Sequence, residues 1–326
     1  MPTDNKVNKT PLRYPGGKSR AIKTLKEFMP PDLKELCSPF LGGGSFELSL
    51  NSKGVKVWGY DLFDPLTWFW KALLENPSGL ANIADSFRKE MLIEGKTKRG
   101  LYKEDFLSLR SELVDANKYS LRNAAIYYAI NRSSFGGQTL SGGFSKLASH
   151  SRFNDASIDR IRSFKTKNFS VDKLSFEASI KKHPDTFLYC DPPYYLGNTT
   201  LYGHKGNMHR GFDHELLHEI LSSRSRWALS YNDCDWVREK YSGSKFKVIE
   251  LNGKWAYGSK IGYTKEELKK RSENTEKLEE VKQKLLLTNN KEEVTILKQM
   301  ESRLKKEQKS LINKMGASSE LLIISN

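Results

Sequence analysis

Asp191-Pro192-Pro193-Tyr194 follows an apolar run, Thr186–Cys190, that reads as a buried strand. An acid, two prolines and an aromatic at the carboxyl end of a strand suit the handling of a planar amine. The carboxylate can accept a hydrogen bond from an exocyclic NH2. Neither proline has an N–H, so this backbone offers acceptors only, and the rings stiffen it. Tyr194 presents a face on which a base can stack. The same residues also fit a strand that ends in a proline turn, with Asp191 initiating it.

Three further groups carry chemistry. Leu36-Cys-Ser-Pro-Phe-Leu-Gly-Gly-Gly-Ser-Phe46 leads from a strand through consecutive glycines into a helix. Glycines allow a sharp turn and let a ligand approach the main chain without meeting a Cβ. Such turns bind nucleotide-like cofactors at the carboxyl edge of a parallel sheet, although a plain tight turn uses the same residues. The run is neither G-x-G-x-x-G nor a P-loop, which speaks against a dinucleotide and against ATP. Asp61 closes the strand Val55–Tyr60 and is placed to accept from two ribose hydroxyls or to cap the next helix, with Asp64 the better cap. Leu12-Arg-Tyr-Pro-Gly-Gly-Lys18-Ser19 sets a rigid turn between an aromatic and a lysine, which suits a small anionic or zwitterionic group.

Positioning these groups requires a sheet, and strand-like and helix-like segments do alternate. Lys34–Cys37, Val55–Tyr60, Asn168–Val171, Thr186–Cys190, Trp227–Tyr231 and Lys245–Leu251 read as strands, with helices from about Ser45 and over Asp64–Glu75. Leu321–Ser325 is short and apolar enough for a last strand. The alternation predicts a mainly parallel sheet covered on both faces. Residues 66–164 interrupt it with a helical pattern, clearest over Leu101–Ala116 and Tyr119–Ile130, and then a glycine-rich stretch, Ser133–Ser145. Residues 264–314 are almost free of Gly and Pro. There, Leu278, Val281 and Leu285, then Leu297, Met300 and Leu304, with Leu311 a heptad on, predict two antiparallel helices broken at Thr288–Asn290. Such a hairpin is either a solvated spacer or a contact for a partner.

The chain has 326 residues and a net charge of +15, from 54 Lys+Arg against 39 Asp+Glu. Residues 265–315 contribute only +4 of that excess, so the main body is basic and a nucleic-acid partner is expected. Cys37, Cys190 and Cys234 are widely spaced and form no C-x-x-C, which argues against a disulfide framework and structural zinc. With a polar start and no long apolar run, a cytosolic chain in a bacterial, phage or viral host compartment is the expectation.

Taken in order, Arg13-Tyr-Pro-Gly-Gly-Lys18, Pro39-Phe-Leu-Gly-Gly-Gly44, Asp61 and Asp191-Pro-Pro-Tyr194 resemble the Dam-type family of DNA adenine-N6 methyltransferases. The resemblance covers roughly residues 11–263 and resumes at Glu320–Ser325. It implies an α/β fold, a Rossmann-like S-adenosylmethionine-dependent methyltransferase sheet, in residues 1–65, 165–263 and 316–326. Residues 66–164 would then be a DNA-recognition insert and 264–315 a helical-hairpin insertion that contacts DNA or a second subunit. It implies methyl transfer from S-adenosylmethionine, without a metal, to a flipped-out adenine in double-stranded DNA. Tyr14, Pro15, Gly17 and Lys18 would border the methionine part; Phe40, Gly42, Gly44 and Asp191 would line the cofactor, and Asp61 would hold its ribose. Asp191 with the Pro192 carbonyl would accept both hydrogens of the adenine amine, with Pro193 completing the turn and Tyr194 stacking on the base.

Departures from that family are informative. Val171–Ser179 resembles the segment that packs on the cofactor adenine, so Phe176 is an expected contact. The acid usual there is replaced by Ala178, with Glu177 and Asp172 nearby. Asn131–Phe144 resembles the family's DNA-reading hairpin, with Arg132, Phe135, Gln138 and Lys146 as expected DNA contacts. Relatives that read GATC carry an arginine where this chain has Leu140, which speaks against that site. The alternatives are a cytosine-N4 methyltransferase, whose relatives more often carry serine at the Asp191 position, and a catalytically silent DNA-binding subunit.

Overall fold

The computed structural model describes residues 8–195, 211–251, 273–314 except 275, 279, 282, 286 and 289, and 320–325. Two compact units result, Met1–Glu250 with Leu321–Asn326, and Leu251–Glu320. Among the described residues, β1 is Glu35–Ser38, β2 Lys56–Asp61, β3 Lys89–Ile93, β4 Lys96–Gly100, β5 Phe169–Lys173, β6 Phe187–Cys190, β7 Trp227–Asn232, β8 Phe246–Leu251 and β9 Glu320–Ser325. Seven of these form one sheet in the order β5-β2-β1-β6-β7-β9-β8.

The parallel part of the sheet decides where the chemistry goes. Leu36 of β1 lies opposite Val57 of β2 and Phe187 of β6, Val57 opposite Phe169 of β5, and Leu188 opposite Trp227 of β7, all in parallel pairs. Strands that run together end together. The residues that follow β1, β2, β5 and β6 are therefore delivered to one edge, where α/β sheets bind ligands. Every residue of β6 is buried, as its continuous apolar run requires in a strand with neighbours on both sides. The hydroxyl of Ser325, at the end of β9, accepts from the amide of Trp227, at the start of β7, so β9 runs against β7.

Helices cover the sheet. Phe176, Ile180, Leu217 and Leu221 pack with Cys37, Leu188, Cys190 and Leu229 in one buried cluster. The helix Ser45–Asn51 contributes Phe46, whose ring lies 4.5 Å from that of Tyr189. The helix Asp64–Glu75, with the bounds its sequence predicts, joins the sheet to the inserted helices. Its Trp70 packs on Phe169 at 5.7 Å, and its Phe69 stacks on Tyr128 at 5.5 Å.

Three local expectations are corrected. The region 66–164 is not wholly helical: β3 and β4 form an antiparallel hairpin. Glu94 and Gly95 make its two-residue turn with φ of 51° and 72°, the left-handed pair that matches strand twist. Asp64 is not a cap but the first residue of its helix, paired with Lys173 at 2.7 Å, and Phe63 occupies the cap position. Met300 does not join an apolar seam. It is 48% exposed, while Leu278, Val281 and Leu297 are buried.

The second unit is helical at its described positions between 273 and 287, and again over Lys291–Lys314. Between them, Asn290 Oδ1 accepts from the amide of Glu292 at 3.0 Å, a local bond that starts the second helix. Replacing residues 264–315 by a short Gly/Ser linker should leave the cooperative thermal melt and near-ultraviolet dichroism of the first unit in place. A molten or insoluble product would show that the first unit depends on this segment.

Candidate active site

A cavity of about 370 Å³ opens at the carboxyl edge of β1, β2, β5 and β6, within the roughly 300–1,000 Å³ usual for small-molecule sites. One wall is the glycine loop after β1. Gly42 and Gly44 have φ of +49° and +61°, and a Cβ on Gly42 would lie 2.7 Å from the Tyr14 ring. The Gly42 carbonyl accepts from Trp70 Nε1 at 3.0 Å. Tyr14 is thus laid across the glycines, and the turn after it closes through Gly17 N–H to the Tyr14 carbonyl at 3.1 Å. Neither neighbour is predictable from the loop's own sequence.

Asp61, at the end of β2, borders the same cavity. Its carboxylate accepts from the amides of Gly42 at 3.1 Å and Phe63 at 3.0 Å. Burial raises its pKa above the ordinary carboxylate range, and the bonds from Phe63, Gly42 and Leu62 oppose that rise. Lys18 is 6% exposed and its Nζ lies 2.7 Å from Asp191 Oδ1. The same ammonium donates to the Gly16 carbonyl at 3.1 Å and the Tyr194 hydroxyl at 2.9 Å. All three of its N–H groups therefore meet protein oxygens. Lys18 borders the cavity and acts on the acid of the Asp191–Tyr194 turn.

The far wall is aromatic. Phe40 stacks on Phe176 at 5.6 Å, and Phe212 closes edge-on against Phe40 at 5.5 Å. Beside them Glu177 borders the cavity, and its buried Oε2 has no hydrogen-bond partner among the described residues. Asp172 is exposed instead. Glu47, from the first turn of the helix Ser45–Asn51, was not singled out by the sequence reading. It is 3% exposed, borders the cavity and accepts from Ser38 Oγ at 2.9 Å. Burial pushes its carboxyl up to about 7. With its pKa raised in the fold, its protonated form is the stabilising one, and that contribution is lost as pH rises through about 7. An acid in the first turn of a helix is ordinary in sequence, which is why it drew no notice.

The inserted segment contains a correction. Arg132 does not face solvent as a phosphate contact. It is 8% exposed, and its guanidinium donates to the Arg152 carbonyl at 2.8 and 2.6 Å and to the Pro11 carbonyl at 3.2 Å. Asn131 is fully buried beside it and exchanges hydrogen bonds with the Arg13 main chain at 3.0 and 2.7 Å, then bonds the Gly137 carbonyl at 3.0 Å. Leu140 is 2% exposed, whereas Phe135 is 70% exposed and Lys146 is exposed. Gln138 is half-buried, against Gly142. Pro192 is buried, and Pro15 and Pro193 line the cavity. The loop Leu196–Gly211, apart from Gly211, lies outside the described residues. Among the described residues no group of His, Cys, Asp and Glu could hold a metal ion.

At one edge of the parallel strands, a glycine turn, a buried acid and an aromatic pair surround a cavity of the size and lining that a nucleoside-type ligand needs. The chain belongs to the D12 class N6 adenine-specific DNA methyltransferase family, whose description matches residues 14–257. It is similar to the DNA adenine methylases of two Vibrio cholerae O1 strains, O395 and El Tor N16961. Each is 23% identical over 254 residues, covering 74% of this chain and 87% of the relative. Its general activity is accordingly S-adenosylmethionine-dependent DNA methylation. The cavity fits such a cofactor: the glycine loop leaves no Cβ in the way, and Glu177 holds an unused acceptor beside the ring wall.

Lys18→Ala would strip a mostly buried carboxylate of its partner, a change that costs about 3–5 kcal/mol for a fully buried pair. Because Asp191 keeps 22% exposure, the lower end is expected in urea unfolding. A loss under about 1 kcal/mol would mean that the pair is no more than a surface contact.

Proposed function

We propose that this chain transfers a methyl group to N6 of a flipped-out adenine in a specific double-stranded DNA sequence. The observation that carries the reading is the Asp191–Tyr194 turn at the mouth of a nucleoside-sized cavity, with Asp191 held by Lys18. When bound, S-adenosylmethionine supplies an electrophilic methyl on a positively charged sulfur. The adenine amine is a poor nucleophile because its lone pair is delocalised into the ring. Asp191 and the Pro192 carbonyl accept its two hydrogens and turn the lone pair out of the ring plane, and Tyr194 stacks on the base. Each charge-assisted bond of this kind contributes about 1.5–3 kcal/mol.

The cofactor's ribose belongs to Asp61, and its adenine to the slot between Phe40 and Phe176. Glu177, whose buried oxygen has no hydrogen-bond partner among the described residues, takes the amine of that adenine. DNA binding is supported by a second cavity of about 680 Å³ that Lys9, Arg13, Arg152 and Arg160 border, and Ser45 borders both cavities. Phe135 and Lys146 are exposed at the inserted segment, as contacts with a distorted duplex require. The names of the relatives, DNA adenine methylase, favour adenine over cytosine.

Tritium transfer from labelled cofactor into DNA, followed by nucleoside chromatography, should give N6-methyldeoxyadenosine. N4-methyldeoxycytidine would overturn the choice of base, and no transfer would favour a silent DNA-binding subunit. Asp191→Asn should lower the transfer rate by about a hundredfold or more while leaving S-adenosylhomocysteine affinity within about threefold. A rate within about tenfold of the parent would remove Asp191 from the chemistry.

A further inference from the structure

We propose that Glu47 receives the cationic α-ammonium of the cofactor's amino-acid end, with Ser38 as its positioning residue. The inference rests on the cofactor assignment above and adds a contact that the family resemblance does not supply. Glu47 borders the same cavity as Tyr14 and Lys18, the end expected to hold the methionine part. Its one side-chain donor among the described residues is the Ser38 hydroxyl, at 2.9 Å. A buried carboxylate whose donors, the Ser38 hydroxyl and its own main-chain amide, are both neutral is short of compensation, and a charged ligand group is what would supply it.

The neighbouring charges sharpen the choice of ligand chemistry. From β1 the carboxyl meets Ser38, from β6 Tyr189, and from the turns on either side Lys18 and Asp191. Lys18 and Asp191 neutralise one another at 2.7 Å, and Tyr189 is bonded to Ser230 at 2.9 Å. The charge of Lys18 reaches Glu47 but is paired with Asp191, so this end of the cavity holds one negative charge in excess when Glu47 ionises. A zwitterionic amino-acid group, presented through its ammonium, matches that excess, whereas an anionic group such as a phosphate is repelled by it.

Burial also holds the carboxyl near about 7 before any ligand arrives. A cation binds the ionised form in preference, so affinity for the intact ligand rises as pH is raised through about 7, and a proton leaves the site on binding at lower pH.

Calorimetry on the full chain with two probes tests this. S-adenosylhomocysteine carries the amino-acid end, and 5′-methylthioadenosine shares the nucleoside and thioether but lacks it. Glu47→Gln should weaken S-adenosylhomocysteine about tenfold or more and leave 5′-methylthioadenosine within about twofold. The same variant should be at least as stable as the parent at about pH 8, because it no longer buries an ionising acid. Ser38→Ala should give a smaller loss with the same selectivity. Equal affinity of the variant for S-adenosylhomocysteine, or an equal loss for both probes, overturns the assignment. If the parent chain binds neither probe, the cofactor reading itself falls and this inference with it.

Discussion

The pair between Lys18 and Asp191 is the interaction on which the site's order depends. It joins residues 173 positions apart and fixes the Pro-Gly-Gly turn near the start of the chain to the Asp191–Tyr194 turn after β6. Removing an ammonium from water is costly, and the cost is offset only when every N–H finds an acceptor. Here the Gly16 carbonyl, the Asp191 carboxylate and the Tyr194 hydroxyl provide them. Once Lys18 is placed, Tyr14 lies over the glycine loop and the cavity has its shape. The glycines at 42 and 44 are then required on two counts, left-handed backbone and the closeness of the Tyr14 and Trp70 rings.

Much of this was legible in the sequence, and the reason is physical. β1, β2, β6 and β7 are short apolar runs because buried parallel strands must be, and each bound read from the sequence lies within a residue of the strand found. Their functional residues follow directly because parallel strands end at one edge. The hairpin β3–β4 escaped notice because half of its strand residues are charged and its apolar ones, Met91, Leu92 and Ile93, are consecutive, so no apolar alternation marks it. Arg132 misled for the opposite reason. A lone arginine beside a glycine-rich stretch reads as surface, and nothing local reveals that the Pro11 and Arg152 carbonyls converge on it. Met300 fell at the right helical spacing, yet spacing alone cannot say how wide the covered stripe is.

The acids around the cavity show how one small volume separates several roles. Asp191 is paired with a lysine, Asp61 is bonded by backbone amides, Glu47 has one hydroxyl, and Glu177 keeps an unused oxygen. Carboxylates so differently provided for will not respond alike to the same ligand. The amide-bonded one is fixed in orientation, while the least compensated ones gain most from an incoming donor.

Asn131 and Arg132 tie the helix Leu121–Ser133 to the main chain of Pro11 and Arg13, immediately before Tyr14. Whatever tilts that helix also moves the tyrosine that covers the glycine loop. The inserted segment and the cofactor cavity thus share one mechanical element. Any coupling carried through it would be reciprocal: a polymer that tightened the grip on the small molecule by some factor would itself be held more tightly by that factor once the small molecule is in place.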